Sequence, residues 1–89
     1  VARISIGKDV VVSQYAHLCA ATHDHRRSGF PLVASPIVIE DGAWVAAGAF
    51  VGPGVTVKRG AVVGARACVV RDVPSGSVVI GNPARSVER

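Results

Sequence analysis

Residues 36–57 read PIVIEDGAWVAAGAFVGPGVTV, and within them a branched aliphatic recurs at every sixth place: Ile39, Val45, Val51 and Val57. The beat continues through Val63 and Val69. A second apolar array runs four places after it as Ala43, Ala49, Val55, Ala61, Ala67 and Val73, and glycine keeps the same interval at Gly42, Gly48, Gly54 and Gly60. An α-helix places apolar residues three and four apart and a half-buried strand places them two apart, so a period of six fits neither. It fits an all-β chain wound as a parallel β-helix of hexapeptides.

Three six-residue units close a triangular coil, so residues eighteen apart stack, with about 4.8 Å between rungs. This predicts inward ladders of Ile39 on Val57, Val45 on Val63 and Val51 on Val69. The smaller residue near each corner spares the narrow interior. Glycine in the fourth place suits a corner with positive φ, a conformation that costs any residue carrying a Cβ. Asp9 and Asp72 stand in that slot where glycine does not, and aspartate tolerates the region; Tyr15 and Arg66 match it less well.

The same register holds upstream at Ile6, Val12 and Leu18, then breaks. Ile6 to Ile39 is not a whole number of hexads, so an insertion lies between. Residues 24–38 contain Arg26, Arg27, Ser28, Gly29, Pro31 and Pro36 and read as one projecting loop. The expected organisation is one domain over 1–89, with coils at about 6–23, 39–56 and 57–74 and a tail, 75–89, that leaves the helix.

A chain of 89 residues in three thin coils encloses little core and has two open ends, which favours oligomerisation. The net charge of +4 suits an anionic partner. Lys58, Arg59, Arg66, Arg71, Arg85 and Arg89 are scattered, and the aromatics Tyr15, Phe30, Trp44 and Phe50 form no stacking pattern, so a phosphorylated cofactor is expected rather than nucleic acid. No apolar stretch has spanning length and the start carries no secretory signal, so the expectation is a cytoplasmic protein without membrane insertion. Cys19 and Cys68 occupy different places in their units, do not stack, and are expected to be free.

The repeat, the Thr22-His23 dipeptide before a loop, the run from Trp44 to the PGVT at 53–56, and the closing GNPA at 81–84 together resemble the hexapeptide-repeat O-acetyltransferases. The branch resembled is that of the colanic acid, maltose and galactoside acetyltransferases. The resemblance implies a left-handed helix, a homotrimer, acetyl-CoA as co-substrate and a saccharide acceptor. General crossover rules alone would favour the right hand.

Moving an acetyl group from a thioester to a hydroxyl requires a base for the alcohol proton and a donor aimed at the carbonyl oxygen as charge develops. Histidine, titrating near neutrality, suits the first task. In the resembled family the base is the histidine that closes a coil just before the long loop, which is His23 here. His25, two residues on, either lines the acceptor pocket or helps orient His23, or is an ordinary solvated loop residue. The resemblance places the cofactor groove at Trp44, Ala47, Ala65, Val70, Arg71, Asn82 and Arg85. Of these, Arg71 and Arg85 have the chemistry to hold phosphate bidentately. Trp44 would wall the groove, pack at a subunit contact, or do both.

Two departures stand out. Relatives often carry threonine where Val70 stands, and they draw acceptor-binding side chains from a segment upstream of the first coil here. A non-catalytic β-helix trimer module is therefore the rival reading. A zinc carbonic anhydrase-like enzyme is the third, but His17, His23 and His25 are spaced by six and two residues, which does not match that ligand set, so no metal is expected.

Overall fold

A computed structural model describes residues 2–87; Arg89, cited above, lies outside them, as do Val1 and Glu88. The described residues form short strands and no helix. The strands wind into three faces. The first holds β1 (Ile4–Ile6), β6 (Ile37–Ile39) and β9 (Thr56–Val57), all parallel. The second holds β2 (Val11–Val12), β7 (Trp44–Val45), β10 (Val62–Val63) and β12 (Val78–Ile80), parallel, with β13 (Arg85–Ser86) antiparallel on its edge. The third holds β3 (His17–Leu18), β8 (Phe50–Val51) and β11 (Cys68–Val69).

The predicted ladders are the observed ones: Ile39 lies on Val57, Val45 on Val63 and Val51 on Val69. These six side chains are at most 2 % exposed, and so are the corner residues Ala43, Ala49, Val55, Ala61 and Ala67. No polar or charged side chain is buried among the described residues. Alternate residues on each strand face outward, which leaves Trp44 half-exposed on the second face and places His17, Phe50 and Cys68 in one column on the third. Ile6 and Val12 extend the ladders into the first coil, where only coil two covers them, and they remain exposed.

The first coil meets the second 33 residues on, as Ile6 to Ile39, and what is looped out has structure of its own. The projecting segment is a β-hairpin in which β4 (Ala21–His23) pairs antiparallel with β5 (Leu32–Ala34). It therefore begins before residue 24, and Ile37 and Val38, at the end of the expected loop, already belong to coil two. The reason is local pairing: Thr22 faces Val33 and His23 faces Leu32, a register no hexad count reveals.

Two further expectations are corrected at the other end. Asp72 does not take the left-handed corner conformation; Asp9, Tyr15 and Arg66 do, at φ of 56, 61 and 60°. Asp72 instead accepts a hydrogen bond from Thr56 N at 2.9 Å and tightens the turn, so that Val73 pairs with Val57, two residues short of the regular interval. With the coil shortened there, the chain after Pro74 does not leave the helix at once. It adds β12 to the second face, Val62 against Val78, before reversing into β13.

Gly64 makes that docking possible. A Cβ there would stand 2.8 Å from Ile80 Cγ2 and 3.1 Å from the Val79 carbonyl oxygen. We expect Gly64→Ala to cost about 1–3 kcal/mol through the displaced strand. A denaturant melt that fails to resolve the variant from wild type would contradict this packing.

Candidate active site

His23 ends β4 at the mouth of the hairpin, exposed to solvent. Its Nδ1 lies 2.8 Å from the carbonyl oxygen of Phe30. A carbonyl only accepts, so Nδ1 carries the hydrogen, and in the neutral ring Nε2 is left with its lone pair facing away from the backbone. The ring is thus fixed in the tautomer that a base needs.

The hairpin holds this arrangement by local means. Asp24 Oδ1 accepts from Arg26 N at 3.0 Å and lies 3.7 Å from Arg26 Nε, while Asp24 N donates to the Pro31 carbonyl at 2.9 Å. Phe30 N donates to the Arg27 carbonyl, and Phe30 itself sits at φ 47°, an uncommon conformation for a residue with a bulky side chain. That backbone turn directs the Phe30 carbonyl at His23. Asp24 and Phe30 were not legible as site residues: the Asx-turn at Asp24 is a weak signal, and a backbone carbonyl leaves none. Phe30→Gly should keep the turn and the histidine tautomer. Phe30→Val, β-branched at positive φ, should break them, read as loss of the single Nδ1–H tautomer of His23 in nitrogen NMR.

The proposed cofactor positions fall into separate groups. Val70, Arg71 and Arg85 come together around a cleft of about 150 Å³ closed by Pro83 and Ala84. The GNPA turn brings Arg85 there: Cys68 N donates to the Gly81 carbonyl and Ala84 N donates to the Cys68 carbonyl, both at 2.9 Å, so residues 81–84 clamp the edge of β11. Asn82 lies in that turn, exposed, before a cis peptide to Pro83. Ala47 and Ala65 stack at the corner between the second and third faces, with Arg66 N on the Ala47 carbonyl at 2.9 Å. Trp44 lies on the second face, its Nε1 donating to Ser13 Oγ at 3.0 Å. Within one chain His23 does not line the arginine cleft, and His25 sits in the hairpin turn while the His23 ring bonds to the backbone instead. Cys19 and Cys68 are free thiols, and no cluster of three His, Cys, Asp or Glu side chains occurs among the described residues.

These coils match the fold of the hexapeptide-repeat acetyltransferases, left-handed parallel β-helices to which the chain is similar over the part it spans. Among its relatives is the Escherichia coli strain K12 protein named colanic acid biosynthesis acetyltransferase WcaF, 47% identical over 81 residues, an alignment covering 91% of this chain and 44% of that one. A hexapeptide-repeat acetyltransferase of Vibrio cholerae, VCA0836, solved in complex with acetyl coenzyme A, superposes with a TM-score of 0.89 at 35% identity, covering 96% of this chain and 48% of that one. A galactoside acetyltransferase in complex with coenzyme A gives 0.88 at 28% identity, covering 96% and 44%. The chain thus spans under half the length of these relatives. No protein-family model matches it.

Proposed function

We propose that this chain carries the acyl-transfer core of an acetyl-CoA-dependent O-acetyltransferase whose acceptor is a saccharide hydroxyl. The observation that carries the reading is the His23 ring, held through Nδ1 by the Phe30 carbonyl with Nε2 free. Bound acetyl-CoA would supply the activated thioester. His23 Nε2 takes the acceptor's proton as its oxygen attacks the acetyl carbonyl, a backbone amide steadies the charge gathering on the carbonyl oxygen, and the proton passes to the departing thiolate. Arg71 and Arg85 are the phosphate partners and Ala47 and Ala65 the smooth wall along which the pantetheine arm runs.

The working form is a homotrimer, which the exposed apolar surface at Val11 and Trp44 supports, since the second face offers it to a neighbour. A corner site between protomers would complete what one chain holds apart. The reading is of a cytoplasmic protein, which the use of acetyl-CoA and two free thiols support.

The test is calorimetry with acetyl-CoA, followed by thiol release over a panel of saccharide acceptors. Arg71→Ala should weaken acetyl-CoA about tenfold through one lost charge-assisted contact, with a smaller effect on a cofactor fragment lacking the phosphates. Cofactor binding without release for any acceptor would favour the non-catalytic module instead.

A further inference from the structure

The fourth place of each hexad favours a residue that accepts positive φ, and coil two has glycine there, Gly48, directly after Ala47. Coil three has Arg66 in the same slot, directly after Ala65, at φ 60°. The two rungs are in register, since Arg66 N donates to the Ala47 carbonyl at 2.9 Å. An arginine in this conformation is crowded at its Cβ where glycine is not, and such strain persists where surrounding structure or function requires the side chain. The fold does not use this one's charge. Arg66 is exposed, and its guanidinium takes part in no ion pair or side-chain hydrogen bond among the described residues.

The side chain leans back over the corner. A Cβ built on Gly48 would stand 3.3 Å from Arg66 Cγ, so the arginine stem lies beside coil two. There it borders an open cleft of about 260 Å³ whose other lining residues, Gln14, Tyr15, Ala47 and Gly48, all belong to coils one and two. Ala47 is common to this cleft and to the wall along which the pantetheine arm runs, so Arg66 borders the space that the arm enters. The phosphate partners are elsewhere: Arg71 and Arg85 share a separate cleft that Arg66 does not line. What the arm presents beside Ala47 and Ala65 is its uncharged amide groups. The two alanine methyls offer them no hydrogen bond, and the Ala47 carbonyl is already engaged by Arg66 N. A guanidinium supplies N–H donors in a flat fork, which suits amide carbonyl oxygens.

We propose that Arg66 is a further co-substrate-binding residue, directed at the pantetheine arm and not at the phosphates. Its guanidinium donates to an amide carbonyl of the arm and holds the arm against Ala47 and Ala65. This rests on the acetyl-CoA groove argued above and adds to it a side chain that anchors the uncharged part of the molecule.

The decisive variant is Arg66→Gly, which removes the guanidinium and gives the corner the residue it prefers. It should melt at or above the wild-type temperature. Binding is read by NMR titration with acetyl-CoA and with S-acetylpantetheine, which has the arm and thioester but no phosphate. Arg66→Gly should weaken both about tenfold, the loss of one hydrogen bond from a charged donor. Because S-acetylpantetheine is uncharged, long-range attraction between guanidinium and phosphate cannot produce that loss. Arg71→Ala, by contrast, should act chiefly on acetyl-CoA. The inference is overturned if wild type binds S-acetylpantetheine no better than Arg66→Gly does, if only acetyl-CoA is weakened, or if the variant melts lower or changes oligomeric state. Wild type that binds acetyl-CoA with Arg66→Gly unchanged defeats this inference alone, whereas wild type that binds no acetyl-CoA defeats the groove and this residue's role together.

Discussion

His23→Ala is expected to lower acetyl transfer by about 10²–10⁴-fold while leaving the melting temperature unchanged. The two halves of that expectation come from different observations. The side chain is exposed and its one recorded hydrogen bond is to the Phe30 carbonyl, so its loss removes little from the fold. The same bond fixes the tautomer, so its loss removes the group that would accept the acceptor's proton. His23→Gln, which can still donate to Phe30 but cannot accept a proton at neutral pH, should be as inactive as alanine. Thiol release at saturating acetyl-CoA checks both variants, and wild-type turnover in either would remove His23 from the chemistry.

Val63→Asp is expected to abolish folding. Val63 is 0 % exposed, in the middle of the ladder from Val12 through Val45 to Val79, and among the described residues no polar or charged side chain is buried to receive a carboxylate. Burying an unpaired charge there costs several kcal/mol, comparable to the whole stability of a small domain. The neighbouring change Val62→Thr, on the outward side of the same strand, should cost under about 1 kcal/mol. A one-residue difference with opposite outcomes is what period-two alternation on a hexapeptide coil demands. Circular dichroism and solubility read it, and a folded Val63→Asp would mean the coil register is wrong.

The winding was legible because each inward rung from Ile39 to Val69 is a branched aliphatic and the interval never varies over that run. The deviations were illegible for physical reasons. The hairpin is held by antiparallel pairing of Thr22 with Val33, which depends on two segments meeting and not on a repeat. The shortened turn was hidden because Val73 suits either array: as the next member of the corner series, or, as found, as the rung on Val57. By its type alone Asp72 suits a left-handed corner, but its carboxylate accepts from Thr56 N instead.

The site was legible in one dimension only. Resemblance to a family picks out His23 by its place before a loop, and two arginines by their chemistry, and Arg71 and Arg85 do share a cleft. It does not say what orients the histidine, since the partner is a main-chain oxygen. Nor does it join Trp44, Ala47 and Ala65 to His23, which lie on different faces and corners of a single chain.

Whether saccharide and cofactor react together on this scaffold decides what the protein does. Thiol release from acetyl-CoA should depend on an added saccharide, and the acetyl group should be recovered as an ester on a sugar oxygen in equal amount, measured by mass spectrometry and NMR of the product. Release that no saccharide stimulates, or acetyl recovered as acetate alone, would contradict it.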